Sequence, residues 1–403
     1  MSVQHSSSDL PEHFTRRRAI GLALTTGAGT GLTWAGAGAS PAAASLTGAA
    51  SPADVPGAPA SAAPAGTWAD VPYPAGTATQ LFAVAAPAPR TAFAIGQFSW
   101  EQRDVTTALH WNGLEWVTRP VPPLQWNWWM DLAAASPRAA WVTGITLTGQ
   151  APISIHWNGS SWREVPVPRV GADPLAFVPA VSAEPGGTAW AVLSEGPAAG
   201  QQSLLRFEGG AWVRKQGPAL DEGHQLMSIK VRSRRDVWIG ATSLQSGAGS
   251  LTFHWNGSAW TRLELAAGAA TFPPALDILP VSRGEVWAYA GQRLFRLDAG
   301  AWTKVADVPR NGMFPMAYGG HLVSDCSGGV WIPALAETVG SGRTGYLHWD
   351  GTTWSRVLGP SRDPDLGHTE ARDMAAIPGT RSIWAVGVQG TGYAPFIERF
   401  TPA

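Results

Sequence analysis

His110-Trp111-Asn112-Gly113-Leu114-Glu115-Trp116 returns in close copies at His156-Trp157-Asn158-Gly159-Ser160-Ser161-Trp162, at His254 to Trp260 and at His348 to Trp354. Weaker copies are Arg206-Phe207-Glu208-Gly209-Gly210-Ala211-Trp212 and Arg296-Leu297-Asp298-Ala299-Gly300-Ala301-Trp302. Asn-Gly and Asp-Gly readily take the positive φ of a tight hairpin turn, so the runs on either side read as two strands joined directly. The closing tryptophan of each copy, with Trp68 ahead of them, gives a series at Trp68, Trp116, Trp162, Trp212, Trp260, Trp302 and Trp354, spaced 42 to 52 residues apart. Each period holds four short strand-like runs. One small sheet cannot bury both faces alone and must stack on neighbours, so this period predicts a toroidal β-propeller.

Working outward from the hairpins, which supply strands c and d, the other two strands follow. Strand a is a run of small apolar residues, as in Gln80-Leu81-Phe82-Ala83-Val84-Ala85 or Asp373-Met374-Ala375-Ala376-Ile377. Strand b centres on Phe93, Trp141, Trp190, Trp238, Trp287, Trp331 and Trp384 and often ends in glycine. Strand d closes on segments such as Val165-Pro166-Val167-Pro168, and proline donates no ladder hydrogen bond, which suits an outermost edge. The last copy has strands a, b and c (Phe396 to Phe400), but the chain stops before a strand d. Gly66-Thr67-Trp68-Ala69-Asp70-Val71-Pro72-Tyr73-Pro74 matches the missing piece. The expectation is therefore an all-β, seven-bladed propeller of four-stranded antiparallel blades, with residues 66–74 pairing near Ile397 to remove the open edge. Recurrent aromatics and the histidines His110, His156, His254 and His348 read as packing that comes with the fold.

Ahead of the repeats, Thr15-Arg16-Arg17-Arg18-Ala19-Ile20, a mildly apolar run to Trp34 and the small-residue site Ala42-Ala43-Ala44 follow the order of a twin-arginine export signal, expected over 1–44. Residues 45–65 are rich in Ala, Pro, Gly and Ser and cannot bury enough apolar surface to offset the entropy of ordering, so they read as a disordered linker. The propeller then occupies 66–403. A secreted, unanchored monomer, exported folded, is the expectation. Cys326 is the single cysteine, so no intrachain disulfide can form. A formal net charge of −1 with 14% charged residues lacks the clustered Lys and Arg of a polyanion-binding surface, so nucleic acid is not an expected partner.

The x-Trp-x-Val-Gly strands and His-Trp-Asn/Asp-Gly-x-x-Trp hairpins resemble the secreted β-propeller repeats of actinobacteria, broadly similar to the kelch/galactose-oxidase-like and sensor-propeller superfamilies. The resemblance covers residues 66 to 403 and implies the fold. Val323-Ser324-Asp325-Cys326-Ser327-Gly328-Gly329-Val330-Trp331 is similar to the Asp-x-x-Gly-x-x-Trp turn of sensor propellers. Galactose-oxidase chemistry is not implied, since Cys326 falls in an expected a–b turn away from the usual active face. No cofactor is expected.

Function in propellers usually lies where the d–a and b–c loops gather, because loops on a rigid scaffold vary freely. Two departures from the repeat fall there. Trp126, Trp128 and Trp129 are expected in the d–a loop entering blade two, with Trp100 in the adjacent b–c loop beside Glu101, Arg103 and Asp104. Such rings could stack on sugar C–H faces while the polar neighbours bond hydroxyls, or they could pack between blades. The second departure is His224, His321 and His368, each near the start of strand a. Acidic neighbours are Asp221 and Glu222 for the first, and Asp363, Asp365 and Glu370 for the last. They could hold a metal or perform acid–base work, although Asp-Pro-Asp and Asp-Glu-Gly are also ordinary turn sequences. The favoured function is a non-enzymatic recognition propeller binding a glycan or other extracellular ligand. The alternatives are a polysaccharide lyase or glycoside hydrolase using those His and carboxylate groups, and a protein–protein scaffold.

Overall fold

The computed structural model describes residues 65–403 apart from 77–79, 98–105, 125–126, 147–150, 170–175, 196–201, 244–248, 266–275, 310–320, 335–341, 368 and 391–393. The described strands form seven four-stranded antiparallel sheets, each running a-b-c-d in order. Their first strands are Gln80–Ala88, Asn127–Ser136, Phe177–Glu184, His224–Ser233, Leu276–Pro280, Val323–Ser324 and Thr369–Ala376. These strands meet one another round the circle, from blade one through blade seven and back to one, which places strand a at the centre. The chain is a seven-bladed β-propeller.

Closure is as the sequence requires. The strand Gly66–Asp70 pairs antiparallel with Ala394–Pro402, with Trp68 opposite Phe400 and Asp70 opposite Glu398. Beyond it Val71 N–H donates to Ile397 O at 2.8 Å, and the Tyr73 hydroxyl donates to Pro395 O at 2.7 Å. The closing strand is held from blade six as well. Trp68 stacks on Tyr346 with ring centroids 3.9 Å apart, and Arg362 bridges Asp70 to the fully buried Glu398. Glu398 also accepts from the Tyr346 hydroxyl at 2.6 Å. Burial pushes the Glu398 carboxyl above its ordinary range, against the pull of Arg362.

The repeated aromatics form a girdle. In every blade the strand b aromatic lies directly across the ladder from a cationic or imidazole side chain of strand c. The pairs are Phe93 with His110, Trp141 with His156, Trp190 with Arg206, Trp238 with His254, Trp287 with Arg296, Trp331 with His348 and Trp384 with Arg399. Ring centroids of the His pairs are 4.2 to 4.9 Å apart, and the Arg carbons stand 5.4 to 5.6 Å over their indoles. Both geometries fit attraction to the ring face as well as burial. Carboxylates lock some of the pairs further: Glu184 accepts from Trp190 Nε1, Asp236 from Trp238 Nε1 and Glu285 from Trp287 Nε1. Strand c tryptophans seal the seams between blades, as Trp111 does at 5.1 Å from Trp384.

Two sequence signals acquire sharper causes. The Asn-Gly hairpins are four-residue connections, because Trp111 pairs with Trp116 and the turn lies between them. Asn112 Oδ1 accepts from the N–H groups of Leu114 and Glu115 at 2.9 and 3.0 Å, and only Gly113 takes positive φ, at 97°. The tight hairpin expected from Asn-Gly is thus an Asx-type turn, the side chain standing in for a backbone acceptor. The glycine ending strand b answers to strand a. Gly144 lies opposite Trp129, where strand a bulges before Asp131, and a Cβ there would lie 2.1 Å from Trp128 O. Gly387 does the same opposite the bulge between Ala371 and Asp373.

Candidate functional site at the channel centre

An innermost strand is a sheet edge, so its outer N–H groups lack ladder partners and must find acceptors elsewhere. The bulges prepare the answer by turning one strand a residue towards the next blade. Register identifies this position. The pairs Val84 with Ala94, Leu132 with Val142, Val181 with Ala191, Ile229 with Ile239, Ile278 with Ala288 and Met374 with Ala385 are equivalent, each beside the strand b aromatic. The preceding residues are Ala83, Asp131, Ala180, Ser228, Asp277 and Asp373. In blade six Val323 pairs with Trp331, and the same count reaches His321.

The three aspartates act alike. Asp131 accepts from Leu132 N–H at 2.7 Å and from Val181 N–H of blade three at 2.8 Å. Asp277 accepts from Ile278 N–H and from Leu322 N–H of blade six at 2.9 and 2.7 Å. Asp373 accepts from Met374 N–H and from Val84 N–H of blade one, both at 2.8 Å. Each carboxylate therefore clasps its own blade to the next through charge-assisted bonds at the strand edge. Between blades three and four, Ser182 Oγ takes the N–H of Val231 at 2.9 Å.

Two cations complete the ring. Lys230 Nζ lies 3.5 Å from Asp277 Oδ1. His321 places Nδ1 2.7 Å from Asp373 Oδ1 and Nε2 3.6 Å from Asp131 Oδ1. Burial would pull the imidazole down, yet the carboxylates of Asp373 and then Asp131 outweigh burial and Lys230, raising it to about 9. The ring is therefore an imidazolium at neutral pH. In that form it stands as a cation between the two carboxylates. Burial raises the Asp131 carboxyl, with His321 opposing.

The described residues among those singled out by sequence take different places in the fold. Trp128 and Trp129 do not lie in a d–a loop, because strand a of blade two already begins at Asn127. Trp129 is 1% exposed, sits in the core between blades one and two, and donates Nε1 to Thr106 Oγ1 at 3.1 Å. Trp128, next to it, keeps part of its surface accessible. Trp100, Glu101, Arg103, Asp104 and Trp126 lie outside the described residues, as does His368.

His224 opens strand a of blade four, buried, with Nε2 3.2 Å from Gly249 O. Asp221 O accepts from the His224 N–H at 3.2 Å, and its carboxylate faces Arg262 at 2.8 Å, while Glu222 is exposed. Asp363 caps the 3-10 turn Pro364–Leu366 by accepting from Asp365 N–H, which is the turn role open to this sequence. Asp365 is exposed, and Glu370 lies 3.0 Å from Arg372 Nε of the same strand. His224 and His321 lie in different blades with different partners. Among the described residues no group of three or more His, Cys, Asp or Glu could hold a metal ion.

Sequence reading passed over the ring aspartates. Their available signal was the recurrence of Asp before a large apolar residue in strand a, in Asp131-Leu132, Asp277-Ile278 and Asp373-Met374.

No protein-family model matches this chain, and no curated protein matches it. Among solved structures it is similar to YCF48 from Cyanidioschyzon merolae, with TM-score 0.53 and 15% identity over 83% of this chain and 98% of that one. It is also similar to the extracellular domain of a hybrid two-component system from B. thetaiotaomicron, with TM-score 0.50 and 12% identity over 81% of this chain and 40% of that one. A third is the fucose-specific lectin from Aleuria aurantia, with TM-score 0.45 and 12% identity over 68% of this chain and 92% of that one. At these identities the likeness is one of fold.

Proposed function

We propose that the chain is a secreted, non-enzymatic recognition propeller that binds a glycan or another extracellular ligand on the face where its d–a and b–c connections gather. The observation that carries this reading is the contrast between neighbours in blade two. Trp129 is sealed in the core, whereas Trp128, at the loop-face end of the same strand, keeps part of its surface open. A partly exposed indole at the loop-face end of a strand can offer its ring to the C–H surface of a sugar. Trp100, Trp126, Glu101, Arg103 and Asp104 are proposed as its companions. Among the described candidates Asp221 faces Arg262, Asp363 caps a turn and Glu370 lies beside Arg372, local structural roles that support recognition rather than hydrolysis. Export in the folded state through the twin-arginine signal of residues 1–44 is part of the same proposal.

The test is intrinsic fluorescence of the mature protein titrated with a panel of soluble polysaccharides, beside Trp128→Ala at matched folding. A saturable change in the wild type that is lost in Trp128→Ala is expected. No saturable response to any polysaccharide would remove the glycan reading, and an unaltered response in Trp128→Ala would remove this site.

A further inference from the structure

His321 stands at the one ring position where the repeat supplies a base instead of Ala, Ser or Asp, and its two nitrogens face carboxylates of different blades. Asp373 belongs to the neighbouring blade seven. Asp131 belongs to blade two, three steps round the ring from blade six, so the imidazole spans the channel. Each of those carboxylates already ties two blades together, Asp373 joining seven to one and Asp131 joining two to three. One side chain thus links the two clasps.

We propose that the imidazolium of His321 is an electrostatic crosspiece that locks blades six, seven and two together across the channel, so that loss of its proton loosens the ring and makes the propeller sensitive to alkali. The charged groups facing it are Asp373 on strand a of blade seven, Asp131 on blade two and Lys230 on blade four. Lys230 is itself engaged by Asp277 of blade five. At the same level, blades one and three contribute only Ala83 and Ala180. The neutral ring would leave Asp131 and Asp373 facing it with only one nitrogen able to donate.

The sign follows from linkage. The folded histidine titrates at about 9 and an unfolded one near 6.5, so the folded state binds the extra proton between those values. The contribution is fully present below about pH 6.5 and is lost as pH rises through 9. Urea unfolding of the full chain at pH 6, 7.5 and 9.5 reads this directly. The unfolding constant of the wild type should rise by roughly a hundredfold more than that of His321→Gln across this range. His321→Lys, which keeps its charge to higher pH, should retain neutral-pH stability better than His321→Gln and flatten the profile. In the wild type, the histidine NMR signal absent from His321→Lys should titrate near 9. Identical pH profiles for wild type and His321→Lys, or a His321 signal titrating near 6.5, would overturn the proposal, including where His321→Gln fails to fold.

Discussion

The girdle and the central ring are two circles of equivalent positions in the same seven blades, and they are built by opposite rules. In the girdle every blade repeats one chemistry, an aromatic of strand b under a cation or imidazole of strand c. In the ring the seven positions read Ala83, Asp131, Ala180, Ser228, Asp277, His321 and Asp373. Packing between blades needs a large flat side chain at each seam, so the girdle varies only within aromatics and their stacking partners. The ring needs only that strand-edge donors find acceptors and that its charges balance, which permits different residues in different blades. Repetition therefore marks packing, and irregularity marks the places where individual residues have individual jobs.

The histidines make the same comparison in terms of charge. His156, stacked on Trp141 in the girdle, is pulled down to about 4 by burial and is neutral at pH 7. His321, in the ring, is pushed up to about 9 by its carboxylates. One residue type is thus used as a flat apolar tile in one circle and as a fixed cation in the other.

The largest effect should come from removing what both circles depend on, the closing strand. Deletion of residues 66–74 takes away Trp68, its stack on Tyr346 and the Asp70 end of the Arg362 bridge, and opens blade seven. Loss of the near-UV dichroism and of a single cooperative thermal transition is expected; a sharp, unshifted transition would show that the ring closes without it. Next, Trp141→Ala in the girdle should cost about 3–5 kcal/mol by urea unfolding, through cavity formation. Asp277→Ala in the ring should cost about 1–3 kcal/mol, because it leaves the N–H groups of Ile278 and Leu322 without their acceptor. Equal costs would blur the distinction between the circles.

A further effect is confined to acid. With a folded pKa of about 4 against an unfolded value near 6.5, His156 contributes stability above pH 6.5 that is lost as pH falls towards 4. His156→Phe should therefore flatten the stability profile between pH 6.5 and 4. A profile superimposable on that of the wild type would show that His156 titrates normally.

The architecture was readable because the girdle repeats. Trp116 and its fellows set the period, the Asn112-Gly113 copies located the outer hairpins, and Trp68 identified the strand that pairs with Phe400. The finer turn geometry escaped because Asn112 uses its side chain, which dihedral preference alone does not reveal. Trp129 reads as a loop residue because its strand starts at Asn127, ahead of the small apolar run from Leu132 that marks strand a. The ring was hidden for a different reason. Asp131, Asp277 and Asp373 occur singly among small apolar residues, and their partners, Val181, Leu322 and Val84, belong to other blades. His321 was noticed as an irregular histidine, but its environment is supplied by strands remote in the sequence, so its chemistry could not be read locally.

If the centre holds the scaffold together and the loop face recognises the ligand, stability and binding must separate by mutation. The most direct measurement is calorimetric titration of the best polysaccharide from the fluorescence panel into wild type, Trp128→Ala and Asp277→Asn, with the thermal midpoint of each. The expected result is at least tenfold weaker binding with an unchanged midpoint for Trp128→Ala, and a lowered midpoint with unchanged affinity for Asp277→Asn. Unchanged affinity in Trp128→Ala together with lost affinity in a folded Asp277→Asn would contradict the account and move recognition to the channel.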